Sequence, residues 1–180
     1  MTPSPAHLDG RVAEAWGGAP GANGSHVNVV LAQRGTPTAA ALLGTFTTPT
    51  PGHTPILVVV GEDQPSYESV WPPTIMINKA TAIEERHQTI TWGAAQLGIA
   101  QGVLDAVADD LLPPTDDVLV LVCIWIDQAA SDETAVRKAS RGAVRKAVGV
   151  AVSGRDPDAA AALVARRDQV TSPFYGGELG

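Results

Sequence analysis

Short runs of apolar residues, separated by segments rich in Gly, Pro, Thr and Asp, predict the strands of a sheet. Residues 12–16 fit either a short strand or a turn, and four longer runs predict strands at residues 26–32, 56–60, 74–80 and 118–126. The run VLVLVCIWI is the most hydrophobic, which predicts a central strand. The run ILVVV has no polar interruption, so we expect it to be covered on both faces.

Apolar residues at three- and four-residue spacing predict two long helices. The first covers residues 83–112, with a predicted buried stripe of Ile90, Gly93, Leu97, Ala100, Leu104, Val107 and Leu111. The second begins after a cap at Ser131 or Asp132 and ends at Gly154. Shorter helices are predicted near residues 37–45 and 157–167. This order of elements predicts an α/β fold, a two-layer sandwich with helices on one face of a mixed sheet.

Composition and charge narrow the classes of partner. The 180 residues are 44% hydrophobic and 17% charged, which is typical of one globular domain. The net charge is −7, so we expect neither a nucleic acid nor an anionic membrane surface as partner. Residues 1–10 are rich in Pro and Ser and predict a flexible tail, which leaves residues 11–180 as the domain.

The lack of recognisable targeting signals and the use of a single cysteine predict a cytoplasmic protein. The N-terminus lacks the basic and apolar regions of a signal peptide, and every apolar run is shorter than the roughly 18 residues that a spanning helix needs. Cys123 is the single cysteine, which excludes an intramolecular disulfide and fits a reducing compartment. We interpret it as a buried small hydrophobe. The four histidines have no metal-ligand spacing, so a metal site has weak support.

A few polar residues interrupt the apolar pattern and are candidates for chemistry. Side chains alternate along a strand, so His26 and Asn28 are predicted to share a face, roughly 7 Å apart. His26 could donate a proton to a leaving hydroxyl, or simply bond the adjacent loop. Lys79 continues an apolar strand face, either snorkelling at its edge or guarding a pocket. Gln96 borders a helix stripe, and His53 by itself is interpreted as a loop residue.

Five segments, taken together and in order, resemble the formaldehyde-activating enzymes. HVNVVLAQRG is similar to that family's HIDLIIGPRG, and TPGHTPILVVV is similar to its AGHTPLLAV. MINKAT resembles MFNKVT, WGAAQ resembles FGPAQ, and the terminal TSPF resembles an HPF ending. The resemblance spans about residues 12–175 and is moderately specific in MxNKxT and GxAQ.

The resemblance implies an activity, an assembly and a set of site residues. The family condenses formaldehyde with tetrahydromethanopterin to give the methylene derivative and water, with no metal and no permanently bound cofactor. It forms homopentamers with pterin sites between subunits, on a fold with a left-handed βαβ crossover. The family's proton-donating histidine falls on His26. Its pterin-contacting positions fall on Asn28, Leu57, Lys79, Thr81 and Gln96.

Three departures keep other functions open. Asn28 stands where the family has aspartate, RKASRGAVRK replaces a tyrosine-bearing YNYEATK segment, and AQRG replaces GPRG. An amide offers one acceptor and a donor, whereas a carboxylate accepts two charge-assisted bonds. The alternatives are a non-catalytic sensor or carrier of pterin or formaldehyde, and a lyase or condensing enzyme for another amine or carbonyl substrate.

Overall fold

A five-stranded mixed sheet organises the chain. The computed structural model describes residues 2–173 and 175–178. The sheet has the order β1-β2-β7-β6-β3, where only β6 and β7, of the described strands, pair in parallel. Its strands are β1 Val12–Gly17, β2 Ser25–Gln33, β3 Ile56–Leu57, β6 Thr74–Asn78 and β7 Val118–Ile126. Strands β4 Val59–Val60 and β5 Glu68–Ser69 form a separate two-stranded sheet. The prediction of a mixed sheet with VLVLVCIWI at its centre is confirmed.

The longest helices form one layer on this sheet. Helices α4 Gln96–Ala108 and α5 Glu133–Ser153 pack on each other, and α5 also packs on β1 and β2. The segment between β6 and β7 enters this layer through α3 Glu85–Thr89 and a π-helical stretch, Ile90–Ala95. The predicted α/β class with a mixed sheet is therefore confirmed, while the hand of the β6-to-β7 crossover stays a prediction. The shorter helices are α1 Pro5–Leu8, α2 Pro37–Gly44 and α6 Pro157–Ala165.

Strand alternation separates a helix-covered face from a second face of the sheet. In β2, Val27, Val29 and Leu31 are fully buried in the main core, and the residues between them point the other way. On the second face, α2 covers Ile75 of β6 and Leu119 and Leu121 of β7, so the prediction that the helices lie on one face of the sheet is wrong for α2. The rest of that face, toward the end of β6, lies beyond α2. The polar candidates of β2 point to this second face.

The predicted strand over residues 56–60 is wrong in its length and its covering. The backbone N–H of Val58 donates to Thr74, whereas the carbonyl of Val58 accepts from Val70, so the chain changes pairing partner there. β3 therefore ends at Leu57, whose side chain is 40% exposed, while Val58 is fully buried. An unbroken apolar run could not reveal that exchange of partners between two sheets.

The predicted stripe of the first long helix is also partly wrong. Ile90 and Ala100 are buried as predicted, but Leu97 and Leu104 are 42% and 45% exposed. The π-helical stretch widens the helical period, so buried positions instead recur at every fourth residue: His87, Thr91, Ala95, Ile99 and Val103. Many of the buried positions are Ala or Gly, which contribute little to an apolar pattern.

The two ends of the chain contain short helices. In the segment predicted as a tail, α1 places Leu8 fully inside the core, and Asp9 accepts a hydrogen bond from the N–H of Gln33. Asp132 caps α5 by accepting from the N–H of Ala135, which confirms one of the two predicted caps. None of the helices within the described residues is both long and apolar enough to cross a membrane.

Close packing of α4 on α5 depends on glycine and gives a stability prediction. A Cβ at Gly98 would lie 2.4 Å from the carbonyl oxygen of Arg137 on α5, whereas a Cβ at Gly142 would meet nothing within 4 Å. We expect Gly98→Ala to lower the free energy of unfolding by about 1–3 kcal/mol through overpacking. Gly142→Ala should raise it by up to about 1 kcal/mol through helix propensity. Urea denaturation of both variants measures the contrast, and equal effects would contradict it.

Candidate functional site

A lysine from the end of β6 reaches across β7 to two polar side chains of β2. The backbone N–H of Lys79 donates to the carbonyl of Ile124 at 2.6 Å, which keeps the chain beside β7 for one residue beyond β6. The Lys79 Nζ lies 2.6 Å from His26 Nδ1 and 2.6 Å from Asn28 Oδ1. The structure therefore brings together three of the six residues predicted from the sequence, on one face as strand alternation predicted.

The carboxylate of Glu14, which the sequence analysis did not identify as a candidate, contacts the other ring nitrogen of His26. In the β1–β2 hairpin Glu14 pairs with Asn28, and Glu14 Oε2 lies 2.9 Å from His26 Nε2. An ionised carboxylate only accepts and an ammonium only donates, so the neutral tautomer with the proton on Nε2 satisfies both contacts of His26. The result is a hydrogen-bonded chain that runs from Glu14 through His26 to Lys79.

Burial shifts the pKa values of two groups in and beside this cluster, Lys79 and Cys123. Removal of Lys79 from water lowers the pKa of its amine, and the nearby negative charge of Glu14 opposes that change. Burial also raises the pKa of the Cys123 thiol, which is half-buried on the same face of β7. Lys79 is bonded to a neutral amide and an imidazole rather than directly to a carboxylate. Its amine form is consequently more accessible than that of an exposed lysine.

A cavity of about 620 Å³ opens beside this cluster. Its lining, taken from the described residues, is Trp16, His26, Lys79, Trp125 and Pro173. The two indole rings lie 6.2 Å apart between centroids, tilted by 35°. Apolar aromatic walls with a few convergent polar groups are typical of a small-molecule site, and this size suits a drug-sized heterocycle. The cavity can therefore hold a flat ligand with its reacting edge toward His26 and Lys79.

Thr81 lies next to this cluster rather than inside the cavity lining. Its hydroxyl is 2.8 Å from His53 Nε2, and His53 Nδ1 is 2.9 Å from the carbonyl of Asn78, the residue before Lys79. The imidazole thus ties its loop to the end of β6. His53 was interpreted only as a loop residue, and its contacts show that it supports the segment carrying Lys79 and Thr81.

Leu57 and Gln96 lie apart from the cavity lining of the described chain. Leu57 is on β3, the edge strand, opposite Ile75. The Gln96 amide donates to the carbonyl of Val59 at 3.1 Å, in the helix layer. Their predicted contacts with a pterin stay predictions.

The sequence reasoning missed Glu14, Trp16 and Trp125. The alternation in VAEAW contains the missing signal, since Glu14 and Trp16 share a strand face once residues 12–17 are read as a strand. Their nearness to His26 depends on the hairpin register, in which Trp16 pairs with His26 and His26 pairs with Trp125. Phe174 of the TSPF segment lies outside the described residues.

Comparison with known proteins decides the family. The family model described as "Formaldehyde-activating enzyme (Fae)" matches residues 12–175. The chain belongs to this family. It is 32% identical to a protein of Methanosarcina barkeri named 5,6,7,8-tetrahydromethanopterin hydro-lyase, over 83% of this chain and 82% of that protein. The resemblance noted from the five sequence segments is thereby confirmed.

Longer members of the family also match. The chain is 26% identical to the bifunctional enzyme Fae/Hps of Archaeoglobus fulgidus, over 86% of this chain and 38% of that enzyme. It is 25% identical to the bifunctional enzyme Fae/Hps of Methanosphaera stadtmanae, over 84% of this chain and 36% of that enzyme. The chain therefore corresponds to little more than a third of each of these bifunctional relatives.

The amide at position 28 gives a prediction about the charge of Lys79. An Asn28→Asp substitution would place a carboxylate against Nζ, which favours the ammonium form, so we expect the pKa of Lys79 to rise. NMR titration of the lysine side chains measures this change. Lys138 and Lys146 on α5 are the other two lysines, and both are exposed, so they serve as controls in the same spectrum. An unchanged Lys79 titration would contradict the prediction.

Proposed function

We propose that this protein condenses formaldehyde with a reduced pterin, tetrahydromethanopterin or a close relative, to give the methylene-pterin and water. The observation that carries the proposal is the 2.6 Å contact between His26 and Lys79 at the wall of the aromatic cavity. Membership of the formaldehyde-activating enzyme family and the similarity to a tetrahydromethanopterin hydro-lyase support it. The proposed setting is one-carbon metabolism or formaldehyde detoxification in the cytoplasm.

The condensation reaction needs a proton donor at the step in which a hydroxyl leaves as water. A pterin nitrogen adds to formaldehyde and gives a carbinolamine, whose hydroxyl must leave as water before the second nitrogen closes the ring. His26, whose ring contacts Glu14 and Lys79, would pass that proton as general acid. Holding a small aldehyde beside a bound pterin would supply much of the remaining acceleration.

The other predicted residues would hold the pterin, and their positions favour an assembly of several copies. Asn28, Lys79, Thr81 and Gln96 offer polar contacts and Leu57 an apolar one. Leu57 and Gln96 do not line the cavity described within one chain, and a second copy could bring such residues together in one site. Exposed apolar side chains on the second sheet face, such as Val12 and Trp16, fit burial in a homo-oligomer. The pentameric number rests on the family resemblance.

A side-by-side condensation assay tests the function. Purified protein and formaldehyde are mixed with tetrahydromethanopterin in one series and tetrahydrofolate in another, and the methylene product is followed against the spontaneous reaction. We expect acceleration with tetrahydromethanopterin. Pterin affinity without acceleration would replace the proposal with a binding or sensor function. A lack of both would overturn the pterin assignment and direct a thermal-shift screen toward other amines and carbonyls.

A further inference from the structure

The chain of contacts through His26 has the geometry of an activated nucleophile. Such sites join a nucleophile to a base within hydrogen-bond reach, with a third group orienting the base. Here Lys79 Nζ lies 2.6 Å from His26 Nδ1, and Glu14 holds His26 Nε2 at 2.9 Å. Lysine amines are the side chains that form Schiff bases with carbonyl compounds. Formaldehyde is such a compound, and Lys79 lines the cavity that would receive it.

We propose that Lys79 is a covalent carrier of formaldehyde, which forms an iminium on its Nζ and passes the carbon to the pterin. The proposal rests on the proposed function for the identity of the aldehyde and of the acceptor. It gives Lys79 a bond-forming role in place of a purely electrostatic contact with the pterin.

The surroundings of Lys79 favour a nucleophile over a fixed cation. Its Nζ contacts the neutral Asn28 amide and the basic nitrogen of His26, and the nearest carboxylate, Glu14, contacts His26. A directly paired carboxylate would hold the amine as ammonium, and Asn28 removes that partner. Burial lowers the pKa of Lys79 and thereby increases the fraction of amine near neutral pH.

The capture step balances with the groups present. His26 Nδ1 takes one proton from the Lys79 ammonium, and the freed Nζ lone pair attacks the formaldehyde carbon. The C–N bond forms while the carbonyl π pair moves to oxygen, and a proton then passes from nitrogen to oxygen to give the carbinolamine. His26 returns its proton to the hydroxyl, which leaves as water while the nitrogen lone pair forms the C=N bond. The sum is ammonium plus formaldehyde giving iminium plus water.

The transfer step restores the enzyme. A pterin nitrogen attacks the iminium carbon, and the C=N π pair returns to the Lys79 nitrogen. The proton lost from that pterin nitrogen passes to Lys79, which leaves as an amine while the pterin nitrogen forms its own C=N bond. The second pterin nitrogen then closes the ring, and its proton converts Lys79 back to ammonium. Two N–H bonds of the pterin are exchanged for the methylene bridge, and nothing is oxidised or reduced.

Reductive trapping without any pterin tests the capture. The full-length protein is treated with limiting formaldehyde and sodium cyanoborohydride at neutral pH, and methylation is followed peptide by peptide by mass spectrometry. The exposed Lys138 and Lys146 are internal controls in the same molecule. We expect Lys79 to be methylated several times faster than either control, because its lowered pKa increases the fraction of amine and His26 lies 2.6 Å from Nζ to accept its proton. Methylation of Lys79 no faster than the controls overturns the proposal.

Two variants separate capture from folding and from the proposed function. His26→Asn should reduce the preference for Lys79, because the base that lies 2.6 Å from Nζ is lost, while His7→Asn, at an exposed histidine, should leave it unchanged. Lys79→Arg keeps a cation but cannot form an iminium, so its kcat in condensation should fall far more than its KM rises. Full kcat in Lys79→Arg overturns the carrier role. Preferential trapping of Lys79 without pterin condensation would support formaldehyde capture and refute the pterin function. Condensation without preferential trapping would support the pterin function and refute the carrier role of Lys79.

Discussion

We expect the His26→Asn variant to lose about 10²–10⁴-fold of the catalysed condensation rate, the usual range for removal of a general acid–base group. The amide oxygen of the new side chain can still accept a hydrogen bond from Lys79, but it cannot carry a proton between Lys79 and a leaving hydroxyl. The site should therefore keep its shape and its affinity for the pterin. Initial rates of methylene-pterin formation, corrected for the spontaneous reaction, measure the loss.

A second histidine provides the matched control for this experiment. His7 is exposed on α1, and its ring contacts Arg11 rather than a residue that lines the cavity. The His7→Asn variant should condense formaldehyde at the parent rate. If His26→Asn also kept the parent rate, with unchanged circular dichroism, the proton-donor role of His26 would be wrong.

The Ile99→Ala variant should lose about 2–5 kcal/mol of unfolding free energy, because Ile99 is fully buried and its truncation leaves a cavity in the main core. Leu97 is two residues earlier on the same helix but is 42% exposed. Leu97→Ala should therefore cost less than about 1 kcal/mol, as most surface substitutions do. Urea denaturation of the two variants, with the slope checked for two-state behaviour, measures the difference.

This pair of variants distinguishes two helical registers. The stripe predicted from the sequence includes Leu97 and omits Ile99, whereas the structure buries Ile99 and exposes Leu97. A larger loss of stability in Leu97→Ala than in Ile99→Ala would favour the straight helical period and contradict the π-helical stretch at Ile90–Ala95.

Much of the candidate site follows from local periodicity. A period of two in β2 puts His26 and Asn28 on one face, and the same period continued past β6 puts Lys79 on the face of Ile75 and Ile77. The family resemblance then singled these residues out from other polar positions. Periodicity could not predict which side chains contact one another. β7 lies between β2 and β6, so the contacts of Lys79 with His26 and Asn28 depend on the order of strands in the sheet.

Glu14 shows most clearly which contacts cannot be predicted from the sequence. The strand that carries it precedes a glycine-rich loop, and neither its pairing register nor its 2.9 Å contact with His26 can be read from spacing. The contact between the rings of Trp16 and Trp125 joins β1 and β7, which lie far apart in the sequence. Such contacts are set by the register of hydrogen-bonded strands, which depends on how the whole apolar face packs.

Patterns and motifs in the sequence were enough to predict the α/β class, the family, the central apolar strand and the faces on which His26, Asn28 and Lys79 lie. These depend on the period of side chains along the chain and on motifs, which are local. Four other features could be recognised only in the folded chain: the Glu14–His26–Lys79 chain of contacts, the aromatic cavity, the break at Val58 and the register of α4. Each of these depends on pairing or close packing between distant segments, where backbone hydrogen bonds and glycine contacts override the local apolar pattern.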